Sequence, residues 1–286
     1  MTTSSPLAQR LLSVAALVPP LVALIWWSVW SNALLVALVA ALALRELYAA
    51  CRQTGHDPGY ASGIALACAL VTAATLQPFA SVNLTQIALA GGVMLTLTGG
   101  MARRPAPGGL ASWAITFAGA CYIGGTLAFT IVLRQLDTPL RAAPLADLGM
   151  QPGAAWLSSV LLMTWGGDAV AYFVGRQFGR HPLAPSLSPR KSWEGAAGGL
   201  VGSALLGICC VWLCGLPIAF WGGALLGLVT GVAGPIGDLV ESMIKRQIGL
   251  KDVGSMIPGH GGLLDRIDSI LFAVPAGYLL AVLLTS

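Results

Sequence analysis

The chain has 286 residues, of which 15 are Lys or Arg and 11 are Asp or Glu, giving a net charge of +4. Only 9% of residues are charged and 56% are hydrophobic, with a mean hydropathy of +0.81, whereas a soluble domain carries about 25% charged residues. That balance excludes a water-soluble globule and makes lipid the solvent for most of the surface. Lipid leaves no water for exposed backbone, and the apolar runs are near the length of a helical span. They are not short alternating strands, so the expected fold class is all-α, a polytopic transmembrane helix bundle.

In chain order the apolar runs predict helices at Leu11 to Trp30, Ala33 to Tyr48, Tyr60 to Leu76, Leu84 to Gly100 and Trp113 to Leu133. Four more follow at Ala154 to Arg176, Gly195 to Cys214, Pro217 to Val240 and Ile267 to Thr285, about nine spans in all. Residues 1–153 form an N-terminal set and residues 154–286 a C-terminal catalytic region of one membrane domain. Arg10 before an apolar run looks like a signal peptide, but Trp26, Trp27, Val29 and Trp30 offer no small-residue cleavage site, so the first span is expected to be retained. The six cysteines, at 51, 68, 121, 209, 210 and 214, fall mostly inside apolar runs with no CxxC pair and read as small core residues.

Placing alternate connections on opposite sides leaves only Arg134 and Arg141 on one side, with the other 13 of the 15 Lys and Arg on the other. Basic residues are retained in the cytoplasm, so the N-terminus is expected there and the C-terminus outside. The positive balance is thereby explained by topology and anionic ligands, with no nucleic-acid partner implied.

The polar residues concentrate in the second half. Asp168 interrupts the sixth run, where a central charge costs about 2.5–3.5 kcal/mol on insertion scales, so it should face protein or a watery cavity. Tyr172, Gly175 and Gly179 follow it, and then the loop SPRKSWEG from Ser188 to Gly195. Here Arg190, Lys191 and Ser192 are candidates for a triphosphate or lipid phosphate, and Trp193 suits the headgroup level. Arg45 and Glu46, at the end of the second run, read as anchoring or helix-end pairing.

From Asp238 to Ser269 the chain reads DLVESMIKRQIGLKDVGSMIPGHGGLLDRIDS. Asp238, Glu241, Ser242 and Lys245 share one helical stripe if the eighth helix runs on, and Asp265 and Asp268 are spaced i, i+3 at the opening of the ninth. Asp238 and Asp265, with Asp268 beside them, are candidate oxygen ligands for a hard divalent cation, Mg2+ above all. Lys245, Arg246, Lys251 and Arg266 would supply positive charge to phosphate oxygens. Gly254, Gly259, Gly261 and Gly262, with Pro258 setting the turn, would let backbone N–H groups approach an anion. Asp252 and His260 complete the candidate set, His260 with no central role. Acids for metal beside bases for phosphate suggest phosphoryl or nucleotidyl transfer.

The pattern SxxKRxxxxKDxGxxIPxHGGxxDRxD, Ser242 to Asp268, resembles the signature of the phosphatidate cytidylyltransferase (CDP-diacylglycerol synthase) family. DAVAYFVGRQFGR followed by SPRKSWEG resembles the same family outside that signature. The resemblance covers roughly residues 160–286. It implies formation of CDP-diacylglycerol and pyrophosphate from CTP and phosphatidic acid, dependent on Mg2+ with a monovalent cation such as K+ beside it. A homodimer in the bacterial cytoplasmic membrane, with its active site facing the cytoplasm, is implied as well. Another CTP-dependent lipid phosphotransferase is the nearer alternative. An ion-coupled transporter is the farther one, disfavoured because the charges cluster towards one face and no internal repeat is visible.

Overall fold

The computed structural model describes residues 19–101, 109–250, 254 and 262–286. Among these residues eight helices are long and apolar enough to cross a membrane. They are α1 (Val29–Gln53), α2 (Tyr60–Leu76), α3 (Leu84–Met101), α4 (Gly109–Arg134), α5 (Pro152–Phe178), α6 (Trp193–Cys214), α7 (Phe220–Gln247) and α8 (Leu264–Thr285). Residues 19–27 are also helical; the first expected span begins at Leu11, outside the described residues. Many large apolar side chains face outward, among them Trp27, Leu34, Met94, Trp212 and Leu283, as a lipid-facing surface requires.

Two compact units make up the fold. One holds the described residues up to Ile131 with those of 247–266; the other holds Val132–Arg246 with Ile267–Ser286.

In the first unit, α1 begins at a capping box. The Ser28 hydroxyl accepts from the Ser31 backbone N–H at 3.0 Å, while Ser31 Oγ accepts from the Ser28 N–H at 3.1 Å. Its buried face repeats every three to four residues through Asn32, Val36, Ala40, Ala43 and Leu47, with Tyr48 beside Leu47. Tyr48 donates to the Thr116 carbonyl of α4 at 2.6 Å. Gly63 of α2 and Gly119 of α4 lie against its ring, where any Cβ would collide. α4 carries a π-helical turn at Cys121–Gly125, where Gly124 packs on the backbone of Ala67.

The second unit is built on small residues. Gly166, Gly167, Gly199 and Gly202 bring α5 and α6 together, and Ser203 Oγ donates across to the Met163 carbonyl at 2.9 Å. Gly207, Gly223 and Gly227 do the same for α6 and α7. α6 ends on Gly215 at φ +68°, a left-handed cap that glycine adopts without strain. The Gly215 carbonyl accepts from Arg141 N–H at 2.7 Å, which pins the α4–α5 connection.

The segment expected as a loop at SPRKSWEG differs. Pro182–Ala184 (β1) and Ser188–Ser192 (β2) form a two-stranded antiparallel hairpin between α5 and α6. The strands are too short for an alternating pattern to be legible, and their pairing closes across the turn between them.

Candidate active site

α7 runs on to Gln247, seven residues past the expected Val240, so Asp238, Glu241, Ser242 and Lys245 do lie on one continuous helix. Pro235 is tolerated within it at the loss of one intrahelical hydrogen bond, just before the polar stripe begins. α8 passes closely beside this stretch: a Cβ on Gly237 would overlap the Asp268 carbonyl oxygen. That approach brings carboxylate oxygens of Asp238, Glu241 and Asp268 all within 4.8 Å of one another. Glu241 is fully buried and Asp268 nearly so.

Two lysines engage the cluster. Lys191, from β2, places Nζ 2.6 Å from Asp238 Oδ2, and Lys245 Nζ donates to Glu241 Oε2 at 2.9 Å. Ser242 Oγ lies 3.4 Å from Asp238 Oδ1, and the Ser269 N–H donates to Asp268 Oδ1 at 2.6 Å. Asp168, on α5, is hydrogen-bonded to the Ser269 side chain and close enough to feel the charges of Asp238 and Lys191. Among the described residues, then, four carboxylates from three helices meet two ammonium groups. Glu241 and Asp268 are buried side by side, and holding two carboxyl groups that close away from water is costly unless a shared proton or a cation offsets their charge. Three carboxylate oxygens this close, in a hard-donor set with no sulfur or imidazole, fit a divalent cation of the Mg2+ type.

The other expected residues are placed by their own elements. Ser192 caps α6, its hydroxyl accepting from the Gly195 N–H at 3.1 Å, and Gly175, Gly179 and Gly195 all pack against that hydroxyl. Arg190, Arg246 and Arg266 are exposed, and so is Trp193. Gly262 is buried, and its N–H donates to Asp265 Oδ2 at 3.2 Å. Lys251, Asp252, Gly259, His260 and Gly261 lie outside the described residues. Glu241 is the ligand-capable residue not singled out as one from sequence. Its place on the same helical stripe as Asp238 is legible in the sequence, but that spacing does not show which stripe residues α8 approaches.

Residues 8–284 match the Cytidylyltransferase family. The chain belongs to that family. A relative from Synechocystis sp., named phosphatidate cytidylyltransferase, is 32% identical over 297 residues, covering 96% of this chain and 97% of its own length. One of the same name from Bacillus subtilis is 39% identical over 164 residues, 57% of this chain and 56% of the relative. Another from Mycobacterium bovis is 44% identical over 133 residues. That match spans 46% of this chain and 43% of the mycobacterial protein, so the chain aligns with less than half of that relative.

Proposed function

We propose that this protein makes CDP-diacylglycerol and pyrophosphate from CTP and phosphatidic acid, in a membrane and with a divalent cation. The observation that carries the reading is the cluster of Asp238, Glu241 and Asp268 with Lys191 and Lys245 on its carboxylates, within a chain whose family transfers cytidylyl groups.

A phosphate oxygen of phosphatidic acid attacks the α-phosphorus of CTP; the bond from that phosphorus to the oxygen bridging to the β-phosphate breaks, and its electron pair leaves with pyrophosphate. The nucleophile is already an anion at neutral pH, so no strong general base is needed. Asp238, Glu241 and Asp268 would hold Mg2+, which when bound neutralises phosphate charge and fixes the line of attack. Lys191 and Lys245 start paired with those carboxylates and can turn to phosphate oxygens as the negative charge of the cluster is taken up elsewhere. Asp168 and Ser269 hold the cluster's third side. Arg190, Arg246 and Arg266, exposed on their elements, suit the lipid phosphate and the leaving group. A ligand role for Asp265, and catalytic or substrate-binding roles for Lys251, Asp252, His260 and Gly261, rest on the resemblance alone. The K+ and homodimer expectations rest on the resemblance alone.

The expected gathering of 13 of the 15 basic residues on one side supports a site open to the cytoplasm, where CTP is available. Purified protein in phosphatidic acid–detergent micelles, given CTP and Mg2+, should release CDP-diacylglycerol and pyrophosphate in equal amounts, and chelation should stop both. Phosphorylation of the lipid with release of CDP would instead assign a CTP-dependent lipid kinase.

A further inference from the structure

Glu46 lies near the end of α1, 218 residues before Leu264 in sequence, yet its Oε2 accepts from the Leu264 backbone N–H at 3.0 Å. The side chain is buried, with 6% of the residue exposed, and among the described residues Oε1 has no hydrogen-bond partner. Leu264 opens α8, so its N–H belongs to the first turn of a helix and has no intrahelical acceptor. A carboxylate from a different helix satisfies it, and a negative charge is favourable at that end of the dipole.

The glycines around it are explained by the same side chain. A Cβ on Gly262 would lie 3.1 Å from Glu46 Oε2 and 3.0 Å from Asp265 Oδ2. A Cβ on Gly254 would overlap Glu46 Oε1 and lie 2.7 Å from its Cδ. The two described glycines of the signature thus both lie directly against Glu46, Gly262 against Asp265 as well. The Gly262 N–H in turn donates to Asp265 Oδ2 at 3.2 Å, so Glu46, Gly262 and Asp265 form one connected set at the start of α8.

We infer that Glu46 is a positioning residue for the signature segment: it holds the start of α8 and the glycines before it, and so sets the direction of the Asp265 carboxylate. It touches no reacting atom, and its effect passes through the Leu264 N–H and the two glycines. The inference rests on the reading of the signature as catalytic.

The test uses the full chain in detergent–lipid micelles, with Glu46→Gln, Glu46→Ala and Gly262→Ala, and two readouts. Hydrogen–deuterium exchange over residues 262–270 should quicken roughly tenfold or more in Glu46→Ala, with residues 152–178 unchanged, while Glu46→Gln, which keeps an acceptor oxygen, stays near wild type. Turnover should follow the same order: kcat falls roughly tenfold to a hundredfold in Glu46→Ala and Gly262→Ala with KM for CTP within about threefold, and Glu46→Gln recovers most of it. Unaltered exchange in Glu46→Ala, or a Glu46→Gln variant as impaired as Glu46→Ala, overturns the positioning role. Quickened exchange along the entire chain reduces Glu46 to general stability and overturns it too. A wild-type protein that exchanges as expected but makes no CDP-diacylglycerol leaves the latch intact and refutes the proposed activity.

Discussion

Gly237→Ala is the substitution that most cleanly separates helix stability from site geometry. By helix propensity alone the change should stabilise α7 by about 0.5–1 kcal/mol. In the fold, however, the new Cβ overlaps the Asp268 carbonyl oxygen and lies 3.2 Å from both the Asp268 carbonyl carbon and Phe272 Cδ2. Two of those three atoms are backbone and cannot swing aside, so α7 and α8 must part by on the order of 1 Å beside Asp238 and Asp268, because close-packed interiors do not absorb such an overlap. A displacement of about 1 Å costs roughly a hundredfold in rate, or about 2.7 kcal/mol of transition-state stabilisation. Gly222→Ala in the same helix is the control, because its Cβ meets Ile218 and Leu284 at an ordinary 3.5 Å. Initial rates of CDP-diacylglycerol formation over a Mg2+ titration should show Gly222→Ala within about twofold of wild type and Gly237→Ala down roughly a hundredfold, with a higher Mg2+ requirement. A Gly237→Ala enzyme with wild-type kcat and Mg2+ dependence refutes the claim that the α7–α8 approach builds the catalytic site.

Lys191→Ala should act in two opposed directions. Removing the ammonium 2.6 Å from Asp238 Oδ2 lowers the Mg2+ concentration needed for half-maximal rate, while KM for CTP or phosphatidic acid rises by roughly tenfold; a raised Mg2+ requirement contradicts the pairing argument. The shared-ligand expectation for Asp238 and Asp265 predicts that Asp238→Asn and Asp265→Asn each remove most turnover and that the double variant is scarcely worse. A double loss equal to the product of the single losses gives Asp265 a separate role, such as its bond to Gly262. Cysteine labelling in intact cells should find position 190 cytoplasmic and positions 147 and 286 outside; positions 190 and 147 on one side defeat the nine-span topology.

Much of the architecture was legible because hydrophobic length is the dominant signal in a bilayer protein. α2 runs Tyr60–Leu76 as its apolar run predicts, bounded by Pro58 and Gly59 before it and Pro78 after it. α1 runs on past the expected Tyr48 to Gln53, because the charges at Arg45 and Glu46 do not end a helix when one of them is buried against another segment. The carboxylates at Asp238 and Asp268 were readable from their density in a chain nearly free of charge. Glu241 was visible only as part of a stripe: sequence spacing shows which residues share a helix face but not which of them a second helix approaches. That approach depends on Gly237, whose reason is the backbone of Asp268 and not a turn. The role of Ser192 as a helix cap was hidden for a like reason, since a Ser after two basic residues reads equally well as a phosphate ligand. Glu46 lay beyond reach, because nothing local in α1 announces a hydrogen bond to a residue 218 positions away.

The proposed nucleotidyl transfer requires Asp238, Glu241 and Asp268 to hold a divalent cation. Mn2+ is a paramagnetic stand-in for Mg2+ and can be titrated into the purified full chain and followed by electron paramagnetic resonance. The wild type should bind about one ion per chain, displaced by excess Mg2+. Glu241→Gln should weaken that binding by roughly tenfold to a hundredfold, and the triple variant Asp238→Asn, Glu241→Gln, Asp268→Asn should abolish it while the protein remains monodisperse. Wild-type Mn2+ affinity and stoichiometry in that triple variant would contradict the assignment.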